Sequence, residues 1–97
     1  MKEIINSPKA PTPIGPYSQA VKSGNTLYVS GQIPLDEVTG KLVEGTIEEE
    51  TDQVMRNLGH ILEEAGLTYK DVLKCSIFVS NMDNFVKVNL VYWRYFP

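Results

Sequence analysis

Two short features of the sequence carry residues that could bind a small polar molecule. The segment Ser30-Gly31-Gln32 places a hydroxyl beside a glycine, and a backbone without a Cβ permits close approach of a ligand. Asn89 interrupts an apolar helical stripe between Phe85 and Trp93, and a buried amide without a partner costs about 1–3 kcal/mol. A bend at Gly31 and a hydrogen-bonded structural amide at Asn89 are the structural alternatives.

The other reactive residue types favour structural roles. His60 falls on the polar side of a predicted helix, which favours an exposed imidazole over a general base. Cys75 falls on the apolar face of a predicted strand, which favours a small core residue over a reactive thiol. One cysteine and one histidine form neither a disulfide nor a four-ligand zinc site. Phosphate-binding glycine loops, HExxH and GxSxG are absent from the sequence.

Composition predicts one small domain and excludes several classes of partner. The chain has 97 residues, of which 42% are apolar, and nine Lys+Arg against twelve Asp+Glu give a net charge of −3. No basic cluster is present, which argues against nucleic acid as a partner. No apolar stretch approaches the ~20 residues of a spanning helix, so we expect a cytoplasmic protein without a membrane partner.

The first half of the chain predicts a hairpin. Four prolines within positions 8–16 favour an extended opening. Strands are predicted at Tyr17–Lys22 and Thr26–Ile33, joined by the turn residues Ser23-Gly24-Asn25. Pro34 ends the second strand, and a polar loop follows at 36–40.

A helix follows the hairpin. Thr46 and Glu49 have the spacing of a capping box, and Gly66 is placed to end the helix. On a helical wheel its apolar residues share one arc of about 120°. They are Ile47, Val54, Met55, Leu58, Ile61, Leu62 and Ala65.

The last quarter of the chain predicts a third strand and a second helix. Alternating residues predict a strand at Val72–Ser80, and Asn81–Phe96 is predicted to be helical with Asn81 or Asp83 as its cap. The apolar arc of this helix is broad, which indicates burial by more than one neighbour. Three strands under two helices make a thin sheet, so we expect either a chain that ends early or a sheet completed by a partner.

Several motifs resemble the reactive intermediate deaminase family, RidA/YjgF. The segments that resemble the family are IGPYSQA at 14–20, SGQIP at 30–34, Thr39-Gly40, EAGL at 64–67 and NFVKVN at 84–89. They occur in the family's order over essentially the whole chain. The resemblance implies an α+β, chorismate-mutase-like fold with two helices packed on one face of the sheet, in a homotrimer with pockets between subunits.

The resemblance also implies an activity. The family hydrolyses 2-imino acids, chiefly 2-iminopropanoate and 2-iminobutanoate, to 2-oxo acids and ammonia, with no metal or organic cofactor. The pocket residues that carry over are Tyr17, Ser30, Gly31 and Asn89. A metabolite-binding or regulatory trimer without catalysis is the alternative. RNA cleavage, also attributed to the family, is disfavoured by the acidic charge balance.

One departure from the family pattern concerns catalysis. The resemblance implies an arginine that holds the substrate carboxylate and a glutamate that positions water, both from the family's C-terminal part. Arg56 and Arg94 match neither role, so the catalytic residues are unknown. We therefore expect one RidA-like domain over residues 1–97, truncated before its last strands and poorly active by itself.

Overall fold

The structure is a computed structural model that describes residues 2–11, 18–36, 38–72 and 82–96. Tyr17, Asn81, Cys75 and the predicted third strand beyond Val72 lie outside the described residues. The described chain forms a small antiparallel sheet and two packed helices, in agreement with the predicted α+β class.

The sheet has three strands in the order β1-β2-β3. They are β1 at Lys2–Ile5, β2 at Ala20–Ser23 and β3 at Thr26–Val29. The predicted hairpin is confirmed: Ser23 pairs with Thr26, and Gly24 takes a φ of 60° that favours glycine at the turn. The strand β1 was not predicted, because the prolines that follow it indicate only an extended chain.

Both predicted hairpin strands are too long. The first begins at Ala20 rather than Tyr17, and the second ends at Val29 rather than Ile33. The backbone N–H of Ser30 still donates to the carbonyl of Gln19 at 3.0 Å, but the chain then leaves the sheet. A β-propensity pattern predicts extended backbone, whereas a strand also needs a neighbour to pair with.

The first helix, α1, spans Ile47–Glu64 and confirms the predicted signals. The Thr46 side chain accepts from the Glu49 N–H at 3.1 Å, and the Glu49 carboxylate accepts from the Thr46 N–H at 3.3 Å. Gly66, with a φ of 76°, follows the last turn as expected.

The core lies where α1 packs on one face of the sheet. Ile61, with no exposed surface, packs with Ile5 and Ala20 from the two adjacent strands. A second cluster of Met55, Leu58 and Leu62 lies farther along the same face of α1. Its partly buried neighbours come from the strand β3, from the segment that follows α1 and from the end of the second helix: Leu27, Val29, Leu67, Tyr69, Val72, Tyr92, Tyr95 and Phe96. Burial of these apolar side chains from two layers is the main source of stability in such a small domain.

The second helix, α2, differs from its prediction. It spans Phe85–Tyr95 after a 3₁₀ turn at Met82–Asn84, so it is shorter than the predicted 81–96. Asn84, not Asp83, occupies the cap position, and its side chain makes no capping hydrogen bond. Without a side-chain cap, the first turn tightens into 3₁₀ geometry.

Within this chain the broad apolar arc of α2 is only partly covered. Only Val88 and Val91 are buried in this helix, where it packs against α1. The apolar residues exposed on α2 are Phe85, Val86, Leu90 and Trp93. In the described residues α2 therefore has one covered face and one bare apolar face. No helix in the described ranges is long and apolar enough to cross a membrane.

Candidate functional site

Ser30 lies at the point where the chain leaves the sheet, and its hydroxyl has a defined direction. The hydroxyl donates its proton to the backbone carbonyl of Ser18 at 2.7 Å. A serine hydroxyl has one proton and two acceptor lone pairs. Because the proton is committed to Ser18, the exposed Oγ of Ser30 is left to accept a hydrogen bond from a bound molecule.

Gly31, the next residue, offers a hydrogen-bond donor, whereas Ser30 offers an acceptor. Among the described residues its backbone N–H has no hydrogen-bond acceptor. A Cβ built on Gly31 would meet nothing within 4 Å, and the glycine has no left-handed φ. The backbone conformation therefore does not require glycine here. Open space beside a free N–H is what close approach of a ligand requires.

Gln19 fixes the backbone on the other side of Ser30. Its side chain is 4% exposed: Oε1 accepts from the Ser7 N–H at 2.5 Å, and Nε2 donates to the carbonyls of Ser7 at 3.1 Å and Pro11 at 3.0 Å. The amide thus joins the N-terminal segment to the start of β2. Sequence reasoning missed this role of Gln19, whose one signal was its place in the segment IGPYSQA.

Asn89 is not buried and paired as expected. It is partly exposed on α2, next to the buried Val88, and its side chain makes no hydrogen bond within the described part of the chain. The structural alternative, a satisfied amide, is therefore also wrong for these residues. No hydrogen bond joins Asn89 to Ser30 or Gly31, so of the three predicted binding residues that the structure describes, only Ser30 and Gly31 are shown together. The amide of Asn89 has donor and acceptor groups left for a ligand or a neighbouring subunit.

The structure also places His60 and Arg56, and only His60 differs from the expectation. His60 is partly buried rather than exposed, because the side of α1 that carries it is partly covered. Arg56 is exposed, donates to the Gln53 side chain at 2.8 Å and lies 3.9 Å from the Asp52 carboxylate. The guanidinium of Arg56 is therefore engaged on α1 itself.

A charged groove of about 500 Å³ lies on α1, away from Ser30 and Gly31. Its lining residues are Asp36, Val43, Glu48, Glu49, Asp52, Gln53, Arg56 and Arg94. Ser30, Gly31 and Asn89 are not among these lining residues. In the described ranges no group of three His, Cys, Asp or Glu residues is arranged to hold a metal ion.

Three ionisable groups near this groove have shifted pKa values. Backbone N–H donors of Thr39 and Val38 lower the pKa of Asp36 by stabilising its carboxylate. Burial raises the pKa of Tyr69, and the negative charge of Asp52 adds to that effect. Burial also raises the pKa of Tyr95, whose hydroxyl donates to the Asp52 carboxylate. The hydrogen bonds of Asp36 hold the loop at Val38 and Thr39, and the bond from Tyr95 to Asp52 joins the two helices. None of these groups supplies an acid or base to Ser30.

Known proteins resemble this chain over nearly its whole length. The family model described as Endoribonuclease L-PSP matches residues 7–97. A mouse protein named 2-iminobutanoate/2-iminopropanoate deaminase is 44% identical over 99% of this chain and 71% of its own length. A crystal structure from Thermotoga maritima is 56% identical, with a TM-score of 0.96 over 99% of this chain and 76% of that one.

A more distant solved structure carries a ligand. Escherichia coli TdcF with bound serine is 33% identical, with a TM-score of 0.92 over 97% of this chain and 73% of that one. The two structural matches show that the sheet and helices have the fold of these proteins. From the family match, the identities and the shared fold, we conclude that the chain belongs to the RidA/YjgF family.

Proposed function

We propose that the protein hydrolyses small 2-imino acids, such as 2-iminopropanoate and 2-iminobutanoate, to 2-oxo acids and ammonia. The structural observation that carries the proposal is the adjacent pair of opposite polarity at the end of β3. The Ser30 Oγ is left as an acceptor, and the Gly31 N–H is left as a donor among the described residues. The name of the mouse relative supports the same activity.

The polarity of this pair suits a 2-imino acid. The substrate carboxylate accepts hydrogen bonds, whereas the imine or iminium N–H donates them. The Gly31 N–H can therefore bind a carboxylate oxygen while the Ser30 Oγ accepts from the imine nitrogen. Two fixed contacts of opposite polarity orient a small planar molecule and hold its C=N carbon in one position.

The reaction itself needs only water as co-reactant. Water adds to the C=N carbon, forming a C–O bond while the electron pair of the π bond moves to nitrogen, which takes a proton. The resulting 2-amino-2-hydroxy acid loses ammonia as its C–N bond breaks, and the oxygen gives up its proton to leave the 2-oxo acid. Orientation of the imine by Ser30 and Gly31 lowers the barrier to the addition step.

Tyr17 and Asn89 complete the proposed binding set with Ser30 and Gly31. The half-exposed Asn89 amide makes no hydrogen bond within the described residues, so its oxygen and nitrogen are available to a ligand. A phenol at Tyr17 would add a further donor or acceptor. Serine bound to the relative TdcF is a molecule of the same size and polarity as the proposed substrates.

We also propose a homotrimer, located in the cytoplasm. The observation in support is the sheet face opposite α1, where Ile4, Val21 and Tyr28 are paired across the three strands. The Tyr28 side chain is 65% exposed and Ile4 is 58% exposed. An apolar row on a bare sheet face favours contact with another subunit. Sedimentation of the complete gene product at micromolar concentration tests this, and a monomer would contradict it.

The experiment must distinguish imine hydrolysis from two alternative functions. A metabolite-binding protein without catalysis would bind the same ligands and release no product. The family description names an endoribonuclease, although nine basic against twelve acidic residues give no positive surface for a phosphate backbone.

The test couples threonine dehydratase to the complete gene product and follows formation of 2-oxobutanoate, with single-stranded RNA incubated in parallel. We expect faster release of 2-oxobutanoate in proportion to the added protein, and intact RNA. Unchanged release would contradict the proposal. Unchanged release with saturable binding of 2-oxobutanoate would favour the non-catalytic alternative, and RNA cleavage without imine hydrolysis would favour the ribonuclease.

A further inference from the structure

We infer that Asn57, on α1, is a positioning residue that fixes the backbone segment following Gly31 and so sets the geometry of the binding pair. The inference rests on the proposed function, because Ser30 and Gly31 are the groups whose positions it affects. Asn57 does not itself reach the proposed substrate. It acts through the carbonyl groups of two residues in the chain that leaves the sheet.

The first observation is a pair of long-range hydrogen bonds. The Asn57 side-chain nitrogen donates to the carbonyl of Ile33 at 3.2 Å and to the carbonyl of Leu35 at 2.9 Å. Asn57 has no exposed surface, so these bonds are made away from competing water. Both protons of the amide nitrogen are used on one short stretch of backbone.

The second observation is that the chain between the sheet and this stretch has few backbone hydrogen bonds, since none of the N–H groups of residues 31–33 donates to a described backbone carbonyl. The strand β3 ends at Val29, and the Ser30 N–H makes the last hydrogen bond to the neighbouring strand. The next interstrand contact is the isolated pairing of Leu35 with Leu42. Between these points Gly31 is exposed and the Ile33 side chain is 55% exposed. The segment is thus held at Ser30 on one side, and on the other by Asn57 together with the Val43 N–H, which donates to the Pro34 carbonyl at 2.8 Å.

The third observation is a series of side-chain hydrogen bonds in which the donor and acceptor of each bond can be assigned in only one way. Carbonyl oxygens only accept, so the nitrogen of Asn57 faces Ile33 and Leu35, and its oxygen faces Gln53. Gln53, 3% exposed, donates from Nε2 to that oxygen at 2.9 Å. The remaining oxygen of Gln53 accepts from Arg56 at 2.8 Å. The orientation of each amide therefore follows from its neighbour.

The start of this chain is anchored by charge. Arg56 lies 3.9 Å from Asp52, one helical turn away on α1. The Asp52 carboxylate also accepts from the Tyr95 hydroxyl on α2. A connected series of hydrogen bonds and one ion pair therefore runs from the contact between the two helices to the backbone beyond Gly31.

A role in stability alone does not explain the buried amides of Gln53 and Asn57. Leucine at position 57 would bury apolar surface where α1 meets the rest of the fold, whereas a buried amide is tolerated only with all partners in place. The Asn57 amide bonds to the loop backbone, Gln53 orients that amide, and neither residue belongs to the core clusters of α1. Fixing that loop is the consequence that the contacts support.

The experiment compares three variants of the complete gene product. Asn57→Leu removes both bonds to the loop, whereas Gln53→Met leaves them in place and removes the group that orients Asn57, together with the acceptor of Arg56. Leu62→Ala is the matched control, because it weakens the α1 core without touching the loop. Steady-state imine hydrolysis gives KM and kcat, and hydrogen exchange reports on the amides of Leu35 and Val43, which donate to the carbonyls of Ile33 and Pro34 at 2.8 Å each.

We expect Asn57→Leu to raise KM at least fivefold and to speed exchange at the Leu35 and Val43 amides at least tenfold over Leu62→Ala. Gln53→Met, which keeps both loop bonds, should give smaller changes of the same sign and decides the matter if Asn57→Leu does not fold. Loss of folded protein alone lowers apparent kcat without changing KM, so the control separates the two effects. KM and exchange equal to those of the control would overturn the inference.

The same data separate this inference from the proposed function. An unaltered protein without imine hydrolysis would contradict the proposed function. The exchange measurement still decides in that case whether Asn57 fixes the segment, and unchanged exchange overturns the inference. Hydrolysis by the unaltered protein together with an unchanged KM in both amide variants would overturn the inference alone.

Discussion

Gly59 on α1 and Tyr69 in the following 3₁₀ turn are in direct contact. A Cβ built on Gly59 would lie 2.2 Å from the Tyr69 hydroxyl oxygen and 2.9 Å from Cζ of its ring. The hydroxyl donates to the carbonyl of Met55 at 2.5 Å, and the ring packs edge-on to Phe96 with centroids 5.6 Å apart. The glycine therefore makes room for a rigid side chain that joins both helices.

This contact predicts that Gly59→Ala is destabilising, although alanine is the better helix former by about 1 kcal/mol. The Tyr69 ring is held by its neighbours, so the clash should outweigh the gain in propensity and lower the free energy of unfolding by about 1–2 kcal/mol. Urea unfolding of the two proteins measures the difference.

The matched control is the same substitution in a Tyr69→Phe background. Removal of the hydroxyl takes away the atom nearest to the new methyl group, so Gly59→Ala should cost less there than in the unaltered protein. Equal costs in both backgrounds, or stabilisation by Gly59→Ala, would contradict the contact.

Gln19→Met should be more destabilising than Gly59→Ala. The substitution keeps the shape of the side chain but leaves the buried N–H and carbonyl of Ser7, and the carbonyl of Pro11, without their partner. We expect a loss of about 2–4 kcal/mol from unsatisfied buried groups. Thermal unfolding measures it, with Gln32→Met, an exposed hydrogen bond, as the control. Similar melting temperatures for both variants would be the contrary result.

The hydroxyl of Tyr95 predicts a loss of stability at high pH. Because burial and Asp52 raise the pKa of Tyr95 in the folded protein, the folded state keeps this proton when the unfolded state, with an ordinary pKa of about 10, has lost it. The folded state then binds more protons, so stability falls as pH rises above about 10 and is fully present below it.

Tyr95→Phe should therefore reduce the dependence of the free energy of unfolding on pH between about 10 and 11.5. Tyr28→Phe, which changes an exposed phenol on the sheet, is the control and should keep the dependence of the unaltered protein. An undiminished alkaline loss in Tyr95→Phe would show that the contact with Asp52 does not persist in solution.

Local signals predicted the local structure well. Thr46, Glu49 and Gly66 marked the ends of α1, and Ser23-Gly24-Asn25 marked the hairpin, because capping and turn chemistry act between residues that are near in sequence. The strand β1 and the true end of β3 could not be predicted in the same way. Both depend on which distant segment supplies the hydrogen-bonding partner.

The candidate site was only partly accessible from the sequence. Ser30 and Gly31 are adjacent in the chain, so their pairing was predictable, but the direction of the Ser30 hydroxyl depends on the carbonyl of Ser18 across the hairpin. Asn57 was overlooked because a polar residue at the margin of an apolar arc has no distinctive spacing. Its role becomes visible only through the carbonyls of Ile33 and Leu35, more than twenty residues away in the chain.

The central claim is that the Ser30 Oγ accepts from the imine nitrogen, and it is tested most directly by kcat/KM for 2-iminobutanoate in Ser30→Ala. Ser23→Ala, in the hairpin, is the matched control. A lost hydrogen bond to a charged or polarised group is worth about 1.5–3 kcal/mol, so the account predicts a fall in kcat/KM of roughly tenfold to a hundredfold for Ser30→Ala and none for Ser23→Ala. Equal kcat/KM in Ser30→Ala and the unaltered protein would contradict the account.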